Sequence, residues 1–191
     1  MIPAANRFTA VLDACVLYPN MKRDLLLRFF EADLYRARWS EEIIQECFGN
    51  LRTNRPDLTD RIDRTEALIR EHFGDAWVTG HEHLIPGIVL PDPGDRHVVA
   101  AALRAHAQYI VTDNVKDFPE DVLAEFDLEC GTADMFLAGT LEHYEMDALA
   151  VIRAHRAGLK SLPSPPEYIM SLIQGQMPLL AARIKPFVSV I

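Results

Sequence analysis

Only three cysteines occur in 191 residues, Cys15, Cys47 and Cys130. They are too few and too scattered for a disulfide framework, and none forms a C-x-x-C pair, so they read as reduced, mostly buried thiols. No apolar run approaches the roughly 18 residues needed to span a bilayer, and no charged-then-apolar signal pattern opens the chain. A cytoplasmic protein with no membrane partner is the expectation. A Gly-rich phosphate loop and a G-x-S-x-G elbow are also missing, which leaves P-loop nucleotide hydrolysis and serine acyl transfer without support. Positive charge is scarce: the formal net charge of −9 argues against holding nucleic acid by bulk attraction.

The deficit is unevenly placed. Residues 1–70 carry eleven basic and eleven acidic side chains, so the whole imbalance lies beyond them. Lys22, Arg23, Arg28, Arg36, Arg38, Arg52, Arg55, Arg61 and Arg64 therefore form either a local phosphate-facing surface or, for most of them, ordinary solvated helix faces. Hydrophobic residues make up 49% of the chain, enough for one globular unit of ordinary size.

Periodicity orders the chain as α/β. The run 7–12 predicts a buried first strand that stops at Asp13. Apolar positions at helical spacing predict helices over 22–36, from an N-cap at Ser40 through Leu51, and over 57–73. Strands are then expected at 87–90, 109–112 and 127–130, with a helix after Asp95 and a short one at 120–125. Strands alternating with helices imply a parallel sheet. Beyond Gly131 the segments 132–142, 147–158, 166–174 and 178–185 read as helices, with 162–166 a stiff Pro-rich linker.

Acids fall where such a sheet would bind something. Ligands of open parallel sheets sit just past the carboxyl ends of the strands. Asp13 ends the first strand, Asp92 and Asp95 follow the second, and Asp113 and Asp117 follow the third. Asp92, before Pro93, is explained as an N-cap. Glu46 lies beyond the first turn of its helix, so the helix dipole does not account for it. Like charges about 4 Å apart repel by roughly 4 kcal/mol at an effective dielectric of 20, so several carboxylates sharing a pocket call for a counterion. Oxygen-only ligands suit Mg²⁺ or Mn²⁺, which can lower the pKa of bound water and orient it toward a phosphodiester. His81-Glu82-His83 lacks the i, i+4 spacing of a helical zinc site and is not expected to ligate.

Leu12-Asp13, the helix from Ser40 to Glu46, Asp92-Pro93-Gly94-Asp95-Arg96-His97-Val98-Val99-Ala100-Ala101-Ala102 and Val111-Thr112-Asp113-Asn114-Val115-Lys116-Asp117-Phe118-Pro119 together resemble a PIN domain, in the manner of VapC-like toxins of bacterial toxin–antitoxin pairs. The resemblance covers 7 to about 130. It implies a three-layer α/β/α fold with a central parallel sheet of four or five strands, a nuclease domain over 1–130 and a C-terminal helical extension over 131–191. It further implies an endoribonuclease dependent on Mg²⁺ or Mn²⁺, cutting tRNA or mRNA and silenced by a cognate antitoxin. Residue by residue, Asp13, Glu46 and Asp95 match the first three acids of the family. Many members carry an acid two residues after the threonine, where this chain has Asn114. Asp117 is therefore assigned as the fourth, with Asp113 as a substitute and Thr112 and Asn114 as hydrogen-bonding supports. The extension is expected to serve antitoxin contact, dimerisation or RNA contact. Two rival readings stand beside this one: a PIN nuclease without an antitoxin, and a catalytically silent PIN-like module that binds RNA or protein.

Overall fold

The computed structural model describes residues 8–191, so Arg7 of the expected first strand lies outside the described residues. Five strands form one parallel sheet in the order β3-β2-β1-β4-β5. The central strand, β1 (Thr9–Leu12), is buried along its whole length, as an apolar strand covered on both faces must be. It pairs Ala10 with Ala37 of β2 (Arg36–Ser40) on one side and with Tyr109 of β4 (Tyr109–Val111) on the other. The edges are β3 (Trp77–Val78) and β5 (Glu129–Gly131).

Helices cover the sheet in a three-layer α/β/α arrangement. α1 (Ala14–Leu17) starts at the end of β1, and α2 (Asn20–Glu31) follows. Ser40 caps α3 (Glu41–Asn54) by accepting from the Ile43 N–H at 3.3 Å, and α4 (Thr59–His72) returns along α3. α5 (Arg96–Arg104) buries Val98 through Ala102 against β1, β2 and β4, where small side chains let helix and sheet approach closely. The short α6 (Glu120–Ala124) leads into β5.

Three local expectations need correction. The helix expected over 22–36 ends at Glu31, because Asp33 takes a left-handed turn with φ 62° and Leu34 N–H donates back to Phe29 C=O at 3.0 Å; Arg36 already belongs to β2. Segment 87–90 is extended without being a strand. Ile88 and Leu90 are buried while Val89 is 72% exposed, so the alternation reflects packing beneath one edge rather than ladder pairing. The strands lying between the expected first and second helices and after the third, β2 and β3, were not anticipated.

The four helices expected beyond Gly131 are present as α7 (Ala133–His143), α8 (Glu145–Ala157), α9 (Pro165–Gln174) and α10 (Pro178–Ile184), although Pro165 and Pro166 of the expected linker form the first turn of α9, where a missing N–H costs nothing. One apolar core runs from the sheet into these helices. Phe136 of α7 meets Tyr35 edge-on at 4.8 Å, and the Tyr35 hydroxyl donates to Leu26 C=O at 3.0 Å. Asp134 accepts from the N–H groups of Leu179 and Leu180 at 2.9 and 2.8 Å, which satisfies the otherwise open start of α10. His155 joins α8 to α9 through the Tyr168 hydroxyl at 2.7 Å and faces Asp24 of α2 at 3.2 Å. Among the described residues no helix is long and apolar enough to cross a membrane.

Candidate active site

Asp13 stands where β1 becomes α1. Its backbone continues the ladder, with the N–H donating to Val111 C=O at 3.0 Å, while its side chain caps α1 by accepting from Ala14 N–H at 2.6 Å. The second carboxylate oxygen accepts from the Thr112 hydroxyl at 2.7 Å and the Cys15 thiol at 3.0 Å. Only 5% of the residue is exposed, and three donors compensate for the water it has lost. Thr112, at the end of β4, in turn accepts from Asn114 N–H at 3.0 Å. Of the two supports expected from the sequence, Thr112 touches Asp13 through its hydroxyl, and Asn114 touches Thr112 through its backbone N–H.

Asp95 closes a 3-10 turn, Pro93–Asp95, that runs directly into α5. Asp92 caps that turn by accepting from Gly94 N–H at 2.7 Å, the role its place before Pro93 implies. One oxygen of Asp95, Oδ2, is buried with no hydrogen-bond partner. Burial, reinforced by the negative charges of Asp13, Asp92, Asp117 and Glu46, pushes the Asp95 carboxyl up to about 6. The fold therefore brings to Asp95 the electrostatic influence of all three other expected acids, from segments as far apart as β1 and the turn after β4.

The other acids are held more loosely. Glu46 lies on the second turn of α3, about half exposed, with Oε2 at 3.6 Å from His97 Nε2. Asp117 ends the 3-10 turn Val115–Asp117 and is partly exposed. Asp113 faces another way. Its carboxylate pairs with the buried Lys22 of α2 and accepts from Ala133 N–H at 3.3 Å, at the start of α7. Among the described residues, no three His, Cys, Asp or Glu side chains stand together as a finished metal cage.

Three residues were not singled out in the sequence for these roles. Cys15 touches Asp13, Thr112 at 3.3 Å and the Asp113 N–H at 3.2 Å, and burial beside the Asp13 charge pushes its thiol up to about 12. Its place two residues after Asp13, on the first turn of α1, was the available signal. Lys22 and Arg23, read with the surface bases, are 2% and 7% exposed, and no local pattern shows that they turn inward. The His81/His83 pair is split between a buried and an exposed environment.

An open parallel α/β sheet with carboxylates collected at its carboxyl edge defines a class of acidic-site domains suited to a hard cation. The PIN-domain family model matches residues 9–116, from β1 to one residue short of Asp117, and the chain belongs to the PIN-domain family. A curated relative from Mycobacterium tuberculosis, named "Putative ribonuclease VapC50", is 36% identical over 91 residues, which are 48% of this chain and 54% of that protein. The chain thus spans about half the length of the curated relative it matches. No solved structure matches it.

Proposed function

We propose that this chain is an endoribonuclease that hydrolyses RNA phosphodiester bonds with Mg²⁺ or Mn²⁺ at the acidic edge. The observation that carries the reading is Asp95: a buried carboxylate oxygen without a partner, its carboxyl raised to about 6 by burial first and then by the negative charges of Asp13, Asp92, Asp117 and Glu46. Such a set of hard oxygen donors fits a divalent cation, which would relieve the repulsion. Asp13, Glu46, Asp95 and Asp117 are the residues proposed to hold it. When bound, the cation would supply an activated water and charge stabilisation for phosphodiester hydrolysis.

The chain's own groups prepare the site. Thr112 and Cys15 fix the Asp13 carboxylate, and the turn capped by Asp92 sets Asp95 at the head of α5. Asp113, paired with Lys22, is less available as a fourth ligand than Asp117. Residues 1–130 are proposed as the nuclease unit and 131–191 as its helical extension. The kinship with a protein named as a ribonuclease of the VapC series supports RNA, tRNA or mRNA, as substrate, and a toxin role in the cytoplasm under a cognate antitoxin.

A second reading is favoured by one observation, the absence of a finished cluster of three ligands among the described residues: a silent module that binds RNA or protein. Cleavage of pooled tRNA and mRNA by the purified protein, with Mg²⁺ or Mn²⁺ and against EDTA and Asp95→Asn, separates the two. Cation-dependent cutting lost in Asp95→Asn is expected. A folded, cation-supplied and antitoxin-free sample that cuts nothing favours the silent module.

A further inference from the structure

Beside the acidic edge runs a groove of a different character. It lies between the end of α1, the start of α2, and the facing sides of α3 and α4, and encloses about 500 Å³. Eleven residues line it, three of them arginines, Arg23, Arg55 and Arg61, and none of them an acid. That composition is out of keeping with a chain of net charge −9.

The arginines are not equivalent. Arg23 is buried and held by three hydrogen bonds: it donates to Leu17 and Tyr18 C=O and to Asn20 Oδ1, and its guanidinium lies 5.8 Å from the centre of the Phe48 ring. Its positive charge is therefore fixed in the wall. Arg55 is exposed and forks onto Asp57 at 3.0 and 2.8 Å, an exposed pair that contributes little and opens readily. Arg61 is exposed and has no ion pair among the described residues, although Asp60 precedes it in sequence and lines the adjoining hollow. Arg61 lies near enough to Arg23 that its charge helps depress the Arg23 guanidinium, the larger cause being burial. Two like charges thus face one space with no carboxylate lining it.

One end of the groove is joined to the site through α1. Tyr18 directly follows α1, the helix that Asp13 caps, so its backbone lies roughly 8 Å along that helix from Asp13. Its hydroxyl accepts from Asn54 Nδ2 at 3.1 Å, which leaves the hydroxyl proton for a further acceptor. An aromatic ring at the mouth, with guanidiniums beyond it, is what a single-stranded nucleic acid needs: a surface for base stacking and cations for phosphate.

We propose that this groove carries the RNA strand next to the bond being cut, with a phosphate held by Arg61 in the field of Arg23 and the strand entering past Tyr18. The assignment rests on the ribonuclease reading for the identity of the strand, and it places the binding charge and the acidic edge on adjoining surfaces. An acidic protein then holds a polyanion by one local patch.

The test is binding measured without cleavage. Fluorescence anisotropy of a short labelled single-stranded RNA of mixed sequence, in EDTA, is compared for wild type, Arg61→Ala, Arg61→Glu and Arg153→Ala. Arg153 is exposed on α8, outside the groove, and controls for loss of charge alone. Arg61→Ala is expected to weaken binding about tenfold at low salt and to make the plot of log affinity against log salt shallower by about 0.7. Arg61→Glu is expected to weaken it further with an unchanged thermal midpoint, while Arg153→Ala stays at the wild-type affinity and slope. In the cleavage assay Arg61→Ala raises KM and leaves kcat. Equal affinity in wild type and both Arg61 variants overturns the assignment and leaves the apolar floor of Phe48, Leu51, Leu58 and Ile62 to a protein segment. RNA that binds through Arg61 but is never cut overturns the ribonuclease reading alone; RNA cut with unchanged KM by Arg61→Ala overturns this one alone.

Discussion

The Thr112 hydroxyl donates to Asp13 Oδ2 at 2.7 Å, joining the ends of two neighbouring parallel strands across 99 positions of sequence. The Thr112 hydroxyl oxygen in turn accepts from Asn114 N–H, so one side chain both orients an acid and shapes the loop that carries Asp117. Thr112→Val keeps the shape and removes both roles. Leaving a buried carboxylate and a backbone N–H short of partners costs about 1–3 kcal/mol, read as a lower denaturation midpoint. Cleavage falls as well, and Thr112→Ser restores most of both.

Asp95→Asn separates stability from activity. The folded state raises the Asp95 carboxyl from 3.8 to about 6, chiefly through burial and then through Asp13. At pH 7 the group is charged in both the folded and the unfolded chain, and the folded chain bears the penalty. As pH falls through 6 toward 4, the folded protein takes up the proton ahead of the unfolded chain and the penalty disappears. Since Asp95 is partly exposed, solvent screening reduces the effect to about 1 kcal/mol. The variant is expected to be inactive and to melt about 2–4 °C higher at pH 7, with no advantage near pH 4. Mn²⁺ at neutral pH should raise the wild-type midpoint and leave the variant's nearly unchanged.

Exchange at Asp113 and Asp117 decides the fourth acid. The Lys22 ammonium is 3% exposed, so Asp113→Asn leaves a buried charge with weaker acceptors and lowers stability by about 2 kcal/mol, moderated because Asp113 itself is 28% exposed. Cation-dependent cleavage by the folded Asp113→Asn protein is expected to persist. Asp117→Asn is expected to lower cleavage by on the order of a hundredfold with little change in stability. The opposite pattern assigns Asp113 as the ligand.

What was legible in the sequence follows from range. Asp13, Ser40, Asp92 and the body of α5 are set by contacts within a few residues, caps and small apolar runs, and sequence displays these directly. Strand β2 was hidden because Arg36-Ala37-Arg38-Trp39 places long basic side chains on a strand whose Ala37 and Trp39 are buried, which reads as a polar helix end. Segment 87–90 erred the other way: Ile88 and Leu90 are buried without a neighbouring strand to pair with. The site shows the same division. Asp13 and Asp117 were placed from the ends of real strands, whereas Asp95 follows an extended segment that pairs with no strand and Glu46 lies on α3. The pairing of Asp113 with Lys22 depends on how α2 lies across the sheet, and no local pattern encodes it.

Asp134 offers a test of the helical extension. It supplies the first turn of α10 from 45 positions away, and Asp134→Ala removes the acceptor for two N–H groups. A loss of about 1–2 kcal/mol is expected. Because one core joins the sheet to these helices, the loss should appear in a single cooperative unfolding transition.

Cleavage of RNA in ¹⁸O-labelled water, with mass analysis of the new ends, tests the acidic edge as a site of hydrolysis most directly. Attack by water predicts terminal phosphates carrying one solvent oxygen at first appearance, formed with Mg²⁺ or Mn²⁺ and absent with EDTA or in Asp95→Asn. Ends that begin as unlabelled 2′,3′-cyclic phosphates, or labelled products that persist in Asp95→Asn, would contradict it.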